Sequence, residues 1–212
     1  AVAVAGAGLG ATRAALRRAV EDDACWGEAH GIITRHLDAG IVPIAITDLR
    51  YPRLLRGIVN PPAVLFAKGD LSAVGSADAV AVVGSRASTR LGERKAREVA
   101  RRFADAGYVV VAGLAAGIDT CAHAAAVDAG GRTVAVYATP LDRVYPAENR
   151  PLEARILAGG GAVVSEYALG DRTFPSDFKH RDRIQAGMSI AVVAIQARRG
   201  KEGHRPFHDP ID

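Results

Sequence analysis

Ala81-Val82-Val83-Gly84-Ser85-Arg86 is an apolar run that stops at a glycine, a hydroxyl and a guanidinium, with a helical pattern behind it. Buried strand, tight turn, helix: that order gathers backbone N–H groups, a hydroxyl and a cation at one spot. Such a spot suits an anion, most often a phosphate. The stretch therefore marks both a fold and a place to look for a ligand.

Outward from this strand the pattern is regular. Apolar strands are expected over residues 79–83, 108–112, 133–137, 162–165 and 190–195. Helices are expected between them, over 90–106, 119–129, 151–158 and 179–186. Strands alternating with helices imply βαβ units and a doubly wound, mainly parallel α/β sheet. Composition agrees. Of 212 residues, 49% are hydrophobic but only 5% aromatic, so the core must be built of Ala, Val, Ile and Leu, as in a parallel sheet covered by helices.

The part before the sheet reads differently. Residues 1–40 suggest a small helical region, with helices near 12–20 and 27–39 and Gly40 as a C-terminal cap. Residues 41–77 read as a connecting segment whose short strands, near 41–47 and 63–67, pack on the core. Residues 78–196 form the sheet domain, and 197–212 a polar tail.

Charge alone decides little. Lys and Arg number 27 against 23 Asp and Glu, a net +4, too mild to make a nucleic-acid binder unless the cations are clustered. Cys25 and Cys121 lack metal-ligand spacing and read as buried thiols in a reducing compartment. The opening Ala1 to Gly10 is apolar but short, and no run approaches the ~20 apolar residues of a membrane span. A soluble, cytoplasmic chain is expected, with no metal.

Clusters do appear at the expected strand ends. After the second strand comes Gly113-Leu114-Ala115-Ala116-Gly117-Ile118-Asp119, another glycine turn entering a helix. Gly113 and Gly117 would let the backbone approach a ligand closely, or would simply make a tight turn. No G-x-G-x-x-G follows the first strand and no Walker lysine motif exists, so no NAD or ATP cofactor is expected. The glycines at 6, 8 and 10 only resemble such a motif and open no βαβ unit. Asp119 and His123 share one helix face: a pair for proton chemistry, or a helix N-cap and a core histidine.

The second cluster is Phe178-Lys179-His180-Arg181-Asp182-Arg183, four potentially cationic residues led by an aromatic ring. Phosphate contacts plus a stacking ring are the parts of a single-strand groove, although a solvated helix start would look similar.

Taken in order, Tyr51-Pro52, Pro61-Pro62-Ala63-Val64-Leu65-Phe66 with Lys68-Gly69, Gly84-Ser85-Arg86, Gly113 to Asp119 with Ala122-His123, Tyr145-Pro146 with Asn149, Ser165-Glu166, and Phe178 with Arg181-Asp182-Arg183 resemble the DNA-processing protein A (DprA, or Smf) family. The resemblance implies an extended Rossmann-like fold that is not an enzyme. It implies single-stranded DNA binding in a basic pocket, protection of DNA in natural transformation, and a part in RecA-mediated recombination.

Carried over, Gly84, Ser85 and Arg86 would contact DNA at the first turn, beside Gly113 and Gly117. Phe178, Lys179, Arg181 and Arg183 would form the other wall, while Asp119, His123 and Glu166 would be structural. Two features depart from the family. Arg-Asn-Arg is replaced by Arg181-Asp182-Arg183, and a carboxylate facing phosphate would repel it. After Ile195 the family's Ser-Gly-[Ser/Thr]-Leu-x-Thr-Ala helix is replaced by Gln196-Ala197-Arg198-Arg199, so the homodimer and RecA contacts expected beyond that point are not inherited automatically. The rival reading is a nucleotide sensor or nucleotide-cleaving enzyme on a related fold, with Glu166 as its acid; the Pro-Gly-Gly-x-Gly-Thr motif of phosphoribohydrolases is absent. A third is a decayed family member acting through protein contacts.

Overall fold

A computed structural model describes residues 21–197. The helix expected over 12–20, the glycines at 6–10 and the tail from 198 lie outside the described residues. Contacts divide the chain after Gly40.

The first unit contributes one described helix, α1 (Asp23–Asp38). Asp22 caps it, its Oδ1 accepting from the Ala24 N–H at 2.9 Å. Arg35 and His36 stand in the last turn, where the helix dipole favours cations. The C-terminal cap is Ala39, and Gly40, at φ +70°, follows it in the left-handed region that favours glycine.

The second unit is built on one seven-stranded sheet: β1 (Val42–Ala45), β2 (Val64–Gly69), β3 (Ala79–Gly84), β4 (Val109–Ala112), β5 (Thr133–Tyr137), β6 (Ala162–Ser165) and β7 (Ala191–Gln196). The spatial order is β1-β2-β6-β5-β4-β3-β7. From β3 the chain steps outward through β4, β5 and β6, then returns to lay β7 on the other side of β3. All of those neighbours pair in parallel. This is a doubly wound α/β sheet of Rossmann type, and the switch in direction lies at β3. β1 and β2 are more than a packing accessory. They form an antiparallel pair, and β2 adds antiparallel to β6, extending the same sheet.

Alternation along each strand sorts the layers. Ala79 and Ala81 of β3 join Val109, Val111, Val134 and Val136 on one face. Helix α2 (Leu71–Val74) and helix α7 (Asp182–Gly187) cover it with Val74 and Ile184. Val82 and Val110 face the other way, onto α3 (Arg90–Asp105) and α4 (Ile118–Asp128). These two helices meet through Ala100 and Ala104 of one and Ala122, Ala125 and Ala126 of the other. Methyl-sized side chains let the backbones approach closely. Helix α5 (Arg150–Ala158) seats Leu152 and Ile156 on Ala135 and Val163.

The helix expected over 179–186 is two short ones, α6 (Asp177–His180) and α7, with Arg181 at the break. Short 3-10 turns at Leu55–Gly57 and Ala147–Asn149, and α2 itself, carry too little periodicity to be read from sequence.

Candidate nucleic-acid interface

The carboxyl ends of β3 and β7 open into a cavity of about 1020 Å³, lined by Arg86, Tyr145, Arg150, Phe178, Lys179 and Asp182 among others. In doubly wound sheets this crevice at the topological switch is where ligands sit.

Its first wall is the Gly84-Ser85-Arg86 turn. A β-carbon at Gly84 would lie 2.7 Å from Ile118 Cγ1, and one at Gly117 would lie 2.4 Å from the Ser85 carbonyl oxygen. The two glycine turns are thus packed on each other, and the Ile118 N–H donates to Ser85 O at 3.3 Å. Gly117, at φ +83°, occupies backbone space that other residues enter only under strain. The Ser85 hydroxyl donates to Ala87 O at 3.1 Å, fixing the turn. Arg86 is exposed.

The opposite wall is aromatic and basic. The Arg86 guanidinium carbon lies 4.8 Å from the Phe178 ring centroid, and the Phe178 and Tyr145 rings lie 5.1 Å apart, tilted by 58°. A cation, a ring and a second ring form one short stack. Lys179 is exposed at the rim.

Arg181 and Arg183 diverge. Arg181 is only 3% exposed and forms the floor. Its Nη1 donates to the Val136 carbonyl, its Nε lies 3.2 Å from Asp182 Oδ1, and the Gln185 amide oxygen, turned to suit its neighbours, accepts from Nη1 at 2.9 Å. A β-carbon at Gly113 would lie 1.8 Å from that Nη1. Gly113 therefore makes room for the Arg181 side chain, where the sequence suggested room for a ligand. Arg183 turns away from the cavity. It clasps Glu166 with both terminal nitrogens, Nη1 to Oε1 at 2.8 Å and Nη2 to Oε2 at 2.5 Å, and donates to the Asn60 and His180 carbonyls. Neither Arg183 nor Glu166 lines the cavity. Residues two apart on a helical path do not share a face, so the motif read as one wall splits here into a floor and an outside clasp.

Asp119 and His123 share α4 but fasten it to different partners. Asp119 is inside the first turn, not the cap; Gly117 holds that position. Its Oδ2 accepts from the Gly113 N–H at 2.9 Å. Burial pushes its pKa up to about 6, against the pull of the Arg181 charge. His123 Nδ1 lies 2.7 Å from Thr133 Oγ1, whose hydroxyl donates to Val110 O at 2.6 Å. With that hydroxyl proton committed, the imidazole donates. Burial depresses its pKa to about 3, so the ring is neutral. Both residues act as struts.

Residues without an expected role also shape the site. Tyr145 completes the stack. Asn149 is buried and donates to Leu114 O and Thr120 Oγ1, both at 2.8 Å, steadying Leu114 at φ +56°. The Tyr145-Pro146 and Asn149 spacing was their only signal in the sequence. Among the described residues no group of His, Cys, Asp and Glu could hold a metal ion, and no helix is long and apolar enough to cross a membrane.

The family model of DNA recombination-mediator protein A matches residues 43–203. Protein Smf of Synechocystis is 41% identical over 153 residues, covering 71% of this chain and 38% of its own. The crystal structure of DNA processing protein A from Streptococcus pneumoniae superposes with a TM-score of 0.66 at 37% identity, covering 76% of this chain and 57% of that one. DNA processing protein A from Helicobacter pylori, described for its single-stranded DNA binding mode, superposes at 0.63 with 28% identity, covering 69% and 66%. The chain spans about half the length of the curated relatives it matches. With the family model matching residues 43–203 and relatives about 40% identical over some seven tenths of its length, this chain belongs to the DNA recombination-mediator protein A family.

Proposed function

We propose that the cavity at the β3 switch binds single-stranded DNA without cleaving it, in the processing of DNA during natural transformation and recombination. The observation that carries this reading is the Arg86–Phe178–Tyr145 stack beside Lys179 and Arg150. A basic groove with aromatic faces is the general design for holding a strand regardless of sequence. The Helicobacter pylori relative described for single-stranded DNA binding supports it. In this reading Gly84 and Ser85 set the turn, Arg86 and Lys179 hold phosphates, Phe178 stacks a base, and Arg181 acts from the floor. Handing the strand to the RecA recombinase, as a homodimer, belongs to the same proposal. The family's description as a recombination mediator supports that extension.

Nothing favours a nucleotide-cleaving enzyme, because Glu166 is clasped by Arg183 outside the cavity. The test is oligonucleotide affinity across a salt series. Each single-strand phosphate contact contributes about −0.7 to the log–log slope. Arg86→Ala should lower affinity and flatten the slope by about one contact. An unchanged affinity and slope would remove the cavity from consideration. Co-sedimentation with RecA, with and without the strand, tests the second part.

A further inference from the structure

Asp182 stands where an anion would. It opens α7, and its side chain is 56% exposed although Arg181 beside it is buried. Its Oδ1 meets Arg181 Nε at 3.2 Å, and the Arg86 charge also acts on it. It lines the same cavity as Arg86 and Lys179. A carboxylate so placed neutralises the cations that a phosphate would seek.

We propose that Asp182 is a tethered competitor for the phosphate position between Arg181 and Arg86, and that it makes the cavity select polymers over single nucleotides. This rests on the single-stranded DNA reading. A tethered group is present at high effective concentration, so a lone phosphate displaces it poorly. A strand can leave that position to Asp182 and still bind through Lys179 and Arg150, a route that a lone phosphate lacks. Arg181 is anchored from below, because the Val136 carbonyl and the Gln185 amide oxygen both accept from its Nη1. The carboxylate, on an exposed edge, is the part that can move.

The test compares Asp182→Asn with the unaltered chain for binding of an oligothymidylate and of thymidine monophosphate, by fluorescence anisotropy and calorimetry. The oligonucleotide should bind about fivefold more tightly to the variant, the factor expected of one half-exposed charge pair. The monophosphate should gain by a larger factor, so that the preference for polymer narrows. Asp182→Ala should move both affinities in the same direction, and melting curves confirm that each variant is folded. If both affinities are unchanged or weaker in the two variants while Arg86→Ala loses the oligonucleotide, Asp182 is no competitor and the DNA reading stands. If Arg86→Ala also changes nothing, both fall together.

Discussion

The Arg86 guanidinium carbon rests 4.8 Å from the centre of the Phe178 ring, joining the first glycine turn to α6 across the cavity. The contact ties the cation that would hold a phosphate to the ring that would hold a base. A planar guanidinium stacks on a ring face in a way that an ammonium does not.

Arg86→Lys should therefore keep a phosphate contact yet lower oligonucleotide affinity, with an unchanged salt slope. Phe178→Leu should lose about 1–3 kcal/mol of binding, the contribution of one base stack. A strand carrying abasic sites should bind the leucine variant and the unaltered chain alike. Anisotropy titrations with intact and abasic oligonucleotides distinguish these outcomes.

The Arg183–Glu166 clasp predicts an effect on stability alone. Both side chains are largely buried, at 20% and 14% exposure. Glu166→Gln should lower unfolding free energy by about 1–3 kcal/mol, since it weakens a charge-assisted pair and leaves a guanidinium poorly matched. Urea unfolding reads the loss. Oligonucleotide affinity should stay within twofold of the original, roughly the error of such titrations.

Gly113 and Gly117 should both resist substitution, for different reasons. Gly113→Ala places a methyl against a guanidinium already fixed by Val136 and Gln185. Overpacking of this kind costs about 1–3 kcal/mol. Gly117→Ala meets the Ser85 carbonyl at a backbone conformation reserved for glycine. Thermal melting of each variant, together with Gly113→Ala paired with Arg181→Lys, shows the distinction: shortening the guanidinium should relieve the first clash and leave the second.

Acid should pull α4 in two directions. The pKa of His123 falls from its ordinary value to about 3 on folding, so below pH ~6.5 the unfolded chain takes up a proton that the native ring refuses. Stability from this group is complete above that pH and is lost as pH falls, by about 1.4 kcal/mol per unit. Asp119 has the opposite sign. Its pKa is raised to about 6, so the native state binds a proton before the unfolded chain does, and acid below that value favours the fold. Between about pH 4 and 6 the two slopes offset. Asp119→Asn should lose stability on acidification more steeply than the unaltered chain, and His123→Gln less steeply. Urea midpoints collected across this range show whether the slopes separate.

Much of this architecture was legible in the residues. The strands β5 and β6 have the bounds that apolar runs and flanking glycines suggested, and Arg86, Lys179 and Phe178 do meet in one cavity. Pairing of β2 with β6 was not legible, because nothing local in Val64–Gly69 specifies a partner so distant in the chain. Arg181 and Arg183 were read as one wall, yet residues two apart on a helix point to nearly opposite sides, and here one goes inward and the other to Glu166. Gly113 illustrates a similar limit: a missing side chain signals that something comes close, without naming it.

The sheet order also dictates a timetable. Of the seven strands β1 and β2 are synthesised before the rest, yet the far flank of β2 waits for Ala162–Ser165. Meanwhile β3, β4, β5 and β6 can associate in succession, each through a nearby crossover of low sequence separation. The antiparallel β1–β2 pair, though it precedes the parallel strands in sequence, thus docks late, and β7 closes the other flank later still. A nascent chain halted before residue 162 would hold β1 and β2 with an uncovered edge, a species exposed to misassociation.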